Sequence, residues 1–91
     1  MSLSLYTKYV FLCSEKDITF IYEFIDSISG ELKIVSTKED YNKYLTMFNE
    51  NEIDIIKRKC LLIVAGVLPY NIEYFLKKIS EKGMKVIKDE T

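Results

Sequence analysis

Two kinds of hydrophobic spacing alternate along the chain. Tyr6–Cys13 (YTKYVFLC) is dense in β-branched and aromatic residues and ends on an unbroken apolar run. That pattern predicts a strand covered on both faces. Ile18, Ile21, Tyr22, Ile25 and Ile28 then recur at helical spacing. Ser14, with Asp17 three residues on, opens this helix in capping-box fashion. Gly30 stands where a helix C-terminal glycine is expected.

Leu32–Ser36 reads as a short second strand at a sheet edge. Thr37 with Asp40 caps a second helix whose apolar positions are Tyr41, Tyr44, Leu45 and Phe48. Asn49-Glu50-Asn51 interrupts it, and Ile53–Ile56 has the composition of one further turn or two. Cys60–Val67 (CLLIVAGV) is the most apolar stretch and predicts a third strand buried on both faces. Pro69 marks the start of a third helix with a core stripe of Ile72, Phe75, Leu76 and Ile79, and Gly83 ends it. Met84–Lys88 is the last, exposed strand.

The order βαβαβαβ, with strands 1 and 3 inside and 2 and 4 outside, fits two sheets. One is an α/β fold, a mostly parallel four-stranded sheet of order 2-1-3-4 with helices on both faces. The alternative is a ferredoxin-like α+β fold of order 4-1-3-2, with an extra helix between strands 2 and 3. More than 20 residues separate Ser36 from Cys60, the length of a parallel crossover rather than of a hairpin. On that ground the parallel sheet is the expectation. It carries a corollary: Cys13 and Cys60 would lie at opposite ends of the sheet, whereas antiparallel neighbours would bring them to the same end.

At 91 residues, the chain has the length of one domain, spanning 1–91. Its longest apolar run, Cys60–Pro69, is far short of the roughly 20 residues a membrane span needs. The N-terminus lacks the basic and apolar regions of a signal peptide, so a cytoplasmic protein with reduced thiols is expected. Isoleucine, lysine, tyrosine and asparagine are abundant, while His, Trp and Gln are absent. This bias suits an AT-rich genome or a thermophile.

The absence of His removes the commonest general base and metal ligand. Arg58 is the single arginine, which disfavours bidentate phosphate chemistry. Cys13 ends strand 1 beside a helix start, where a thiolate can be stabilised. The following SEKDITF nevertheless offers no Arg or Gly to grip a phosphate, and Glu15 and Asp17 repel anions. Gly30, Gly66 and Gly83 are too scattered for a dinucleotide or Walker loop. The acidic groups Glu39/Asp40, Glu50/Glu52/Asp54 and Asp89/Glu90 have the placement of solvated helix starts and tails. No catalytic residue, metal ligand or cofactor is assigned.

Three functional expectations follow. On helix 1, Phe20 and Phe24 widen the apolar arc to about 200°, more than a sheet-packing helix requires. Tyr70, Tyr74 and Lys77 project from helix 3 opposite its core stripe. These five residues point to an interaction or regulatory module that associates with itself or with another protein. The parallel sheet would also gather Ser14, Glu15, Gly66 and Asn71 into a crevice for a small anion or nucleotide. Finally, Glu15–Asp54 holds ten acids and four lysines, while Ile55 onward holds eight bases and four acids. Lys57, Arg58, Lys59, Lys77, Lys78, Lys82, Lys85 and Lys88 could follow a nucleic-acid backbone, against which stands a net charge of −1.

Overall fold

The structure, a computed structural model, describes residues 5–51, 53 and 60–90. Four strands form one sheet: β1 (Thr7–Ser14), β2 (Glu31–Ile34), β3 (Cys60–Val67) and β4 (Val86–Lys88). Between them lie the helices α1 (Ile18–Ser27), α2 (Lys38–Leu45) and α3 (Ile72–Glu81), and Glu50, Asn51 and Ile53 are also helical. Short 3-10 turns at Glu15–Asp17 and Pro69–Asn71 lead into α1 and α3. The strand order is β2-β3-β1-β4.

Every strand pair is antiparallel, so the expected parallel sheet is not formed. β1 lies against β3 in the register Lys8↔Gly66 to Ser14↔Cys60. This is the 4-1-3-2 arrangement with α2 inserted, the second of the two sheets the sequence allows. The α1 crossover sets β2 two places from β1, and β3 runs back through the gap between them. Length of the Ser36–Cys60 connection therefore carries no information about direction here. Its helix is used to cover a face of the sheet, and the chain re-enters β3 from the end at which it left β2.

Alternation along the strands explains both layers. Tyr9, Phe11 and Cys13 point with Ile63, Ala65 and Val67 toward α1 and α3, where Ile21, Phe24, Ile25, Phe75 and Ile79 complete the larger core. Val10, Leu62 and Val64 point the other way and are buried with Val35, Tyr44 and Phe48 beneath α2. Both central strands are thus apolar at nearly every position because both faces are covered. Of the expected third-helix stripe, Leu76 falls outside, 38 % exposed. Among the described residues no polar or charged side chain is fully buried.

Helix boundaries follow local chemistry. Thr37 Oγ1 accepts the Asp40 amide at 3.2 Å, the expected N-cap of α2. Ile53 donates its amide to Asn49 O at 3.0 Å, and the rest of the anticipated turn at Ile53–Ile56 lies outside the described residues. Both long helices end in the same Schellman geometry. In α3 the amides of Gly83 and Met84 reach back to Ser80 O and Ile79 O. In α1 the amides of Ser29 and Gly30 reach Asp26 O and Ile25 O.

The left-handed residue of the first motif is Ser29, with φ 54°, rather than Gly30 as its sequence position suggests; in the second it is Gly83, φ 77°. Ser29→Gly should therefore stabilise the fold by up to about 1 kcal/mol. Gly83→Ala, with nothing within 4 Å of the added Cβ, should destabilise it by about 1 kcal/mol through backbone conformation alone. Paired thermal melts of the two variants, shifting in opposite directions, would establish both signs.

Candidate functional site

The four residues expected to share a ligand crevice are not brought together. Ser14 pairs with Cys60 at one end of the sheet, and Gly66 pairs with Lys8 at the other. Six residue steps along the strand, roughly 20 Å, separate them. Ser14 Oγ donates to Asp17 Oδ2 at 3.1 Å, and exposed Glu15 opens the 3-10 turn beside it. Asn71 lies at the Gly66 end, where its Nδ2 donates to Ile28 O at 2.9 Å and ties the start of α3 to the end of α1. Ser14 is thus engaged locally, and Asn71 in a contact between two helices.

The Gly66 end does carry a recess, on the α2 side of the sheet. It has a volume of about 210 Å³ and is lined by Tyr6, Lys8, Glu31, Leu32, Lys33, Tyr44, Val64 and Gly66. That is smaller than the 300–1,000 Å³ usual for cofactor-sized ligands. Strand register builds it. Lys8 and Glu31 both pair with Gly66, one from each side, so the three form a single cross-strand row facing the same way. Covered by α2, the next row is Val10, Val64 and Lys33.

Local interactions shape the walls. Lys33 Nζ lies 3.0 Å from Asp40 Oδ2, and this ammonium, with Thr37, holds the Asp40 carboxyl below the usual range. Tyr44 is buried, and its hydroxyl donates to the Asp89 carboxylate. Desolvation, with the nearby negative charge, raises its pKa. Sequence reasoning missed Tyr6, Lys8, Glu31, Lys33 and Tyr44 as a group. They become neighbours only through the antiparallel register, and no spacing along the chain announces it.

The second candidate surface is aromatic. Phe20 and Phe24 stack at 6.0 Å, and Phe24 is only 6 % exposed because α3 overlaps it. Phe24 meets Tyr74 edge-on at 5.6 Å and stacks on Phe75 at 6.3 Å. Lys82 Nζ sits 4.3 Å above the Phe20 ring. The apolar surplus of helix 1 is therefore taken up largely by its neighbour. Tyr70 and Tyr74 stay open, 79 % and 51 % exposed, with exposed Lys77 beside them.

Of the lysine-rich half, Lys57, Arg58 and Lys59 lie outside the described residues. Lys82 covers Phe20, and Lys88 approaches Glu90 at 3.9 Å. On the sheet face away from α1 and α3, α2 covers Val10, Leu62 and Val64.

Cys13 is fully buried. Burial first, then the charge of Asp17 and the neighbouring Cys60, push its thiol up to about 11, opposite to the shift that makes a cysteine nucleophilic. The two cysteines do reach the same end of the sheet, as antiparallel neighbours must. Cys13 pairs with Leu61 while Cys60 pairs with Ser14, so they occupy alternate faces, and both thiols are free. Among the described residues no group of three His, Cys, Asp or Glu could hold a metal ion. No described helix is long and apolar enough to cross a membrane.

A pH dependence follows from Cys13. An unfolded chain releases this proton near 9.0 and the folded one near 11. The stability tied to the buried neutral thiol is thus complete below pH 9 and lost as pH rises toward 11, about 2–3 kcal/mol in all. Urea melts at several pH values, compared with Cys13→Ala, would isolate it: the alanine variant should lack the extra loss. Native-state alkylation should modify half-buried Cys60 first and spare Cys13 until the chain unfolds.

Comparison with protein-family models, curated proteins and solved structures finds no match to this chain.

Proposed function

We propose that this domain is a non-catalytic interaction module that pairs with a second copy of itself through the outer face of α1 and α3. The observation that carries the reading is the exposure of Tyr70 and Tyr74, 79 % and 51 %, beside Lys77. Tyrosine is favoured at interfaces because it offers a large amphipathic surface at low entropic cost. Tyr74 is further pre-organised by its edge-on contact with Phe24, which reduces the ordering a partner must supply.

Charge supports a self-complementary contact. The outward side of α3 carries Lys77 and that of α1 carries Glu23 and Asp26, all exposed. A two-fold axis that lays α3 of one protomer on α1 of the other sets these opposite charges face to face.

Sedimentation equilibrium tests the reading. Wild type should show twice the monomer mass at micromolar concentration, with dissociation promoted by salt. Tyr70→Glu and Lys77→Glu lie on exposed positions and should give folded monomers. A wild-type chain that stays monomeric at millimolar concentration would remove the proposal.

A further inference from the structure

We infer that the recess on the α2 side of the sheet is a binding site for a small zwitterion, an α-amino acid by chemical class. This site lies on the opposite side of the sheet from the aromatic face and does not depend on self-association.

The inference rests on the row Lys8–Gly66–Glu31. Two strand spacings, roughly 10 Å, separate the α-carbons of the lysine and the glutamate, and the residue between them has no side chain. The side chain of Tyr6 lies over this glycine, and a cation and an anion stand on either side of the recess that Tyr6 and Gly66 line. Among the described residues no ion pair joins Lys8 or Glu31 to any other group. The neighbouring lysine, Lys33, is by contrast already neutralised by Asp40.

The walls select against other ligands. Tyr6 leans over Gly66, its ring atoms 3.4 Å from where a Cβ would lie, and Tyr44 closes the α2 side. A volume of about 210 Å³ equals roughly seven waters, room for an amino acid and too little for a nucleotide. A simple anion would meet Glu31, and the second lysine of the lining, Lys33, is already engaged by Asp40. A simple cation would meet Lys8. A molecule bearing both charges can set its carboxylate toward Lys8 and its ammonium toward Glu31, each as a charge-assisted hydrogen bond.

Titration of the ¹⁵N-labelled chain with each standard L-amino acid, up to about 10 mM, followed by NMR, tests this directly. At least one should shift the amides of Tyr6, Lys8, Glu31 and Gly66 in a saturable manner. Acetate and methylammonium, each carrying one half of the zwitterion, should bind at least about tenfold more weakly. Lys8→Met and Glu31→Gln, both at exposed positions, should keep the wild-type spectrum elsewhere and each weaken binding at least about tenfold. The inference is overturned if no amino acid titrates, if acetate binds as tightly as the best amino acid, or if Glu31→Gln leaves affinity unchanged.

Discussion

Phe75→Ala is expected to cost about 3–5 kcal/mol, the range for emptying a large aromatic site in a core. Phe75 is fully buried on α3, and its ring gathers those of Tyr9 at 5.3 Å, Phe11 at 6.2 Å and Phe24 at 6.3 Å. It therefore joins β1, α1 and α3 at one point. A chain of this length buries a modest share of its surface and has little stability to spare. With an m-value on the order of 1 kcal/mol/M in urea, the midpoint should fall by about 3 M or more, and the variant is expected to be partly unfolded in plain buffer. Leu76→Ala, one residue further along the same helix and 38 % exposed, should cost under about 1 kcal/mol. Equal losses for the two would show that Phe75 does not hold the layers together.

Gly30→Ala should be the most damaging of the glycine substitutions, for a reason unrelated to backbone conformation. The α1–β2 turn passes so close to β3 that a Cβ on Gly30 would lie 2.7 Å from Gly66 O and 3.0 Å from Ile25 Cγ2. The carbonyl belongs to a central strand paired on both sides, at Lys8 and Glu31, and has little freedom to retreat. Overpacking of this kind costs about 1–3 kcal/mol, and a backbone obstacle places the loss near the top of that range. For a domain of this size about 3 kcal/mol corresponds to a drop in Tm of roughly 12–24 °C. A melt of Gly30→Ala that matches Gly83→Ala would show that the close approach is not maintained in solution.

The extent to which this fold was legible differs from element to element. Tyr6–Cys13 and Cys60–Val67 announce central strands because an apolar residue at every position is tolerated only where both faces are covered. Thr37 with Asp40, and Gly83, announce helix ends because their bonds are local. The direction of β3 was not legible. An amphipathic helix between Ser36 and Cys60 serves equally to carry the chain back across a parallel sheet or to roof the second face of an antiparallel one. The same side chains are buried either way.

The sites follow the same division. The expected crevice at Ser14, Glu15, Gly66 and Asn71 needed the parallel sheet and separates once β1 and β3 run in opposite senses. Of the surplus at Phe20 and Phe24, Phe24 is covered by an intramolecular neighbour, α3, while Phe20 is half-buried beneath Lys82. The recess is set by which residues fall opposite one another. Lys8, Gly66 and Glu31 lie far apart along the chain and meet only by register, information that no local spacing encodes.

The strand order has a consequence for how the chain acquires its shape during synthesis. β1 is the first strand to be made, yet its neighbours are β3 and β4, the last two; Lys8 waits for Gly66, 58 residues later. Until then an apolar ribbon that ends as the centre of the molecule has no edge to join, and closing so large a loop must precede any gain from pairing. Before β3 is made, β1 and β2 lack the strand that lies between them. Pairing of β1 is thereby delayed until β3 has been made, and for that interval the strand Thr7–Ser14 is a segment in need of shielding from other chains.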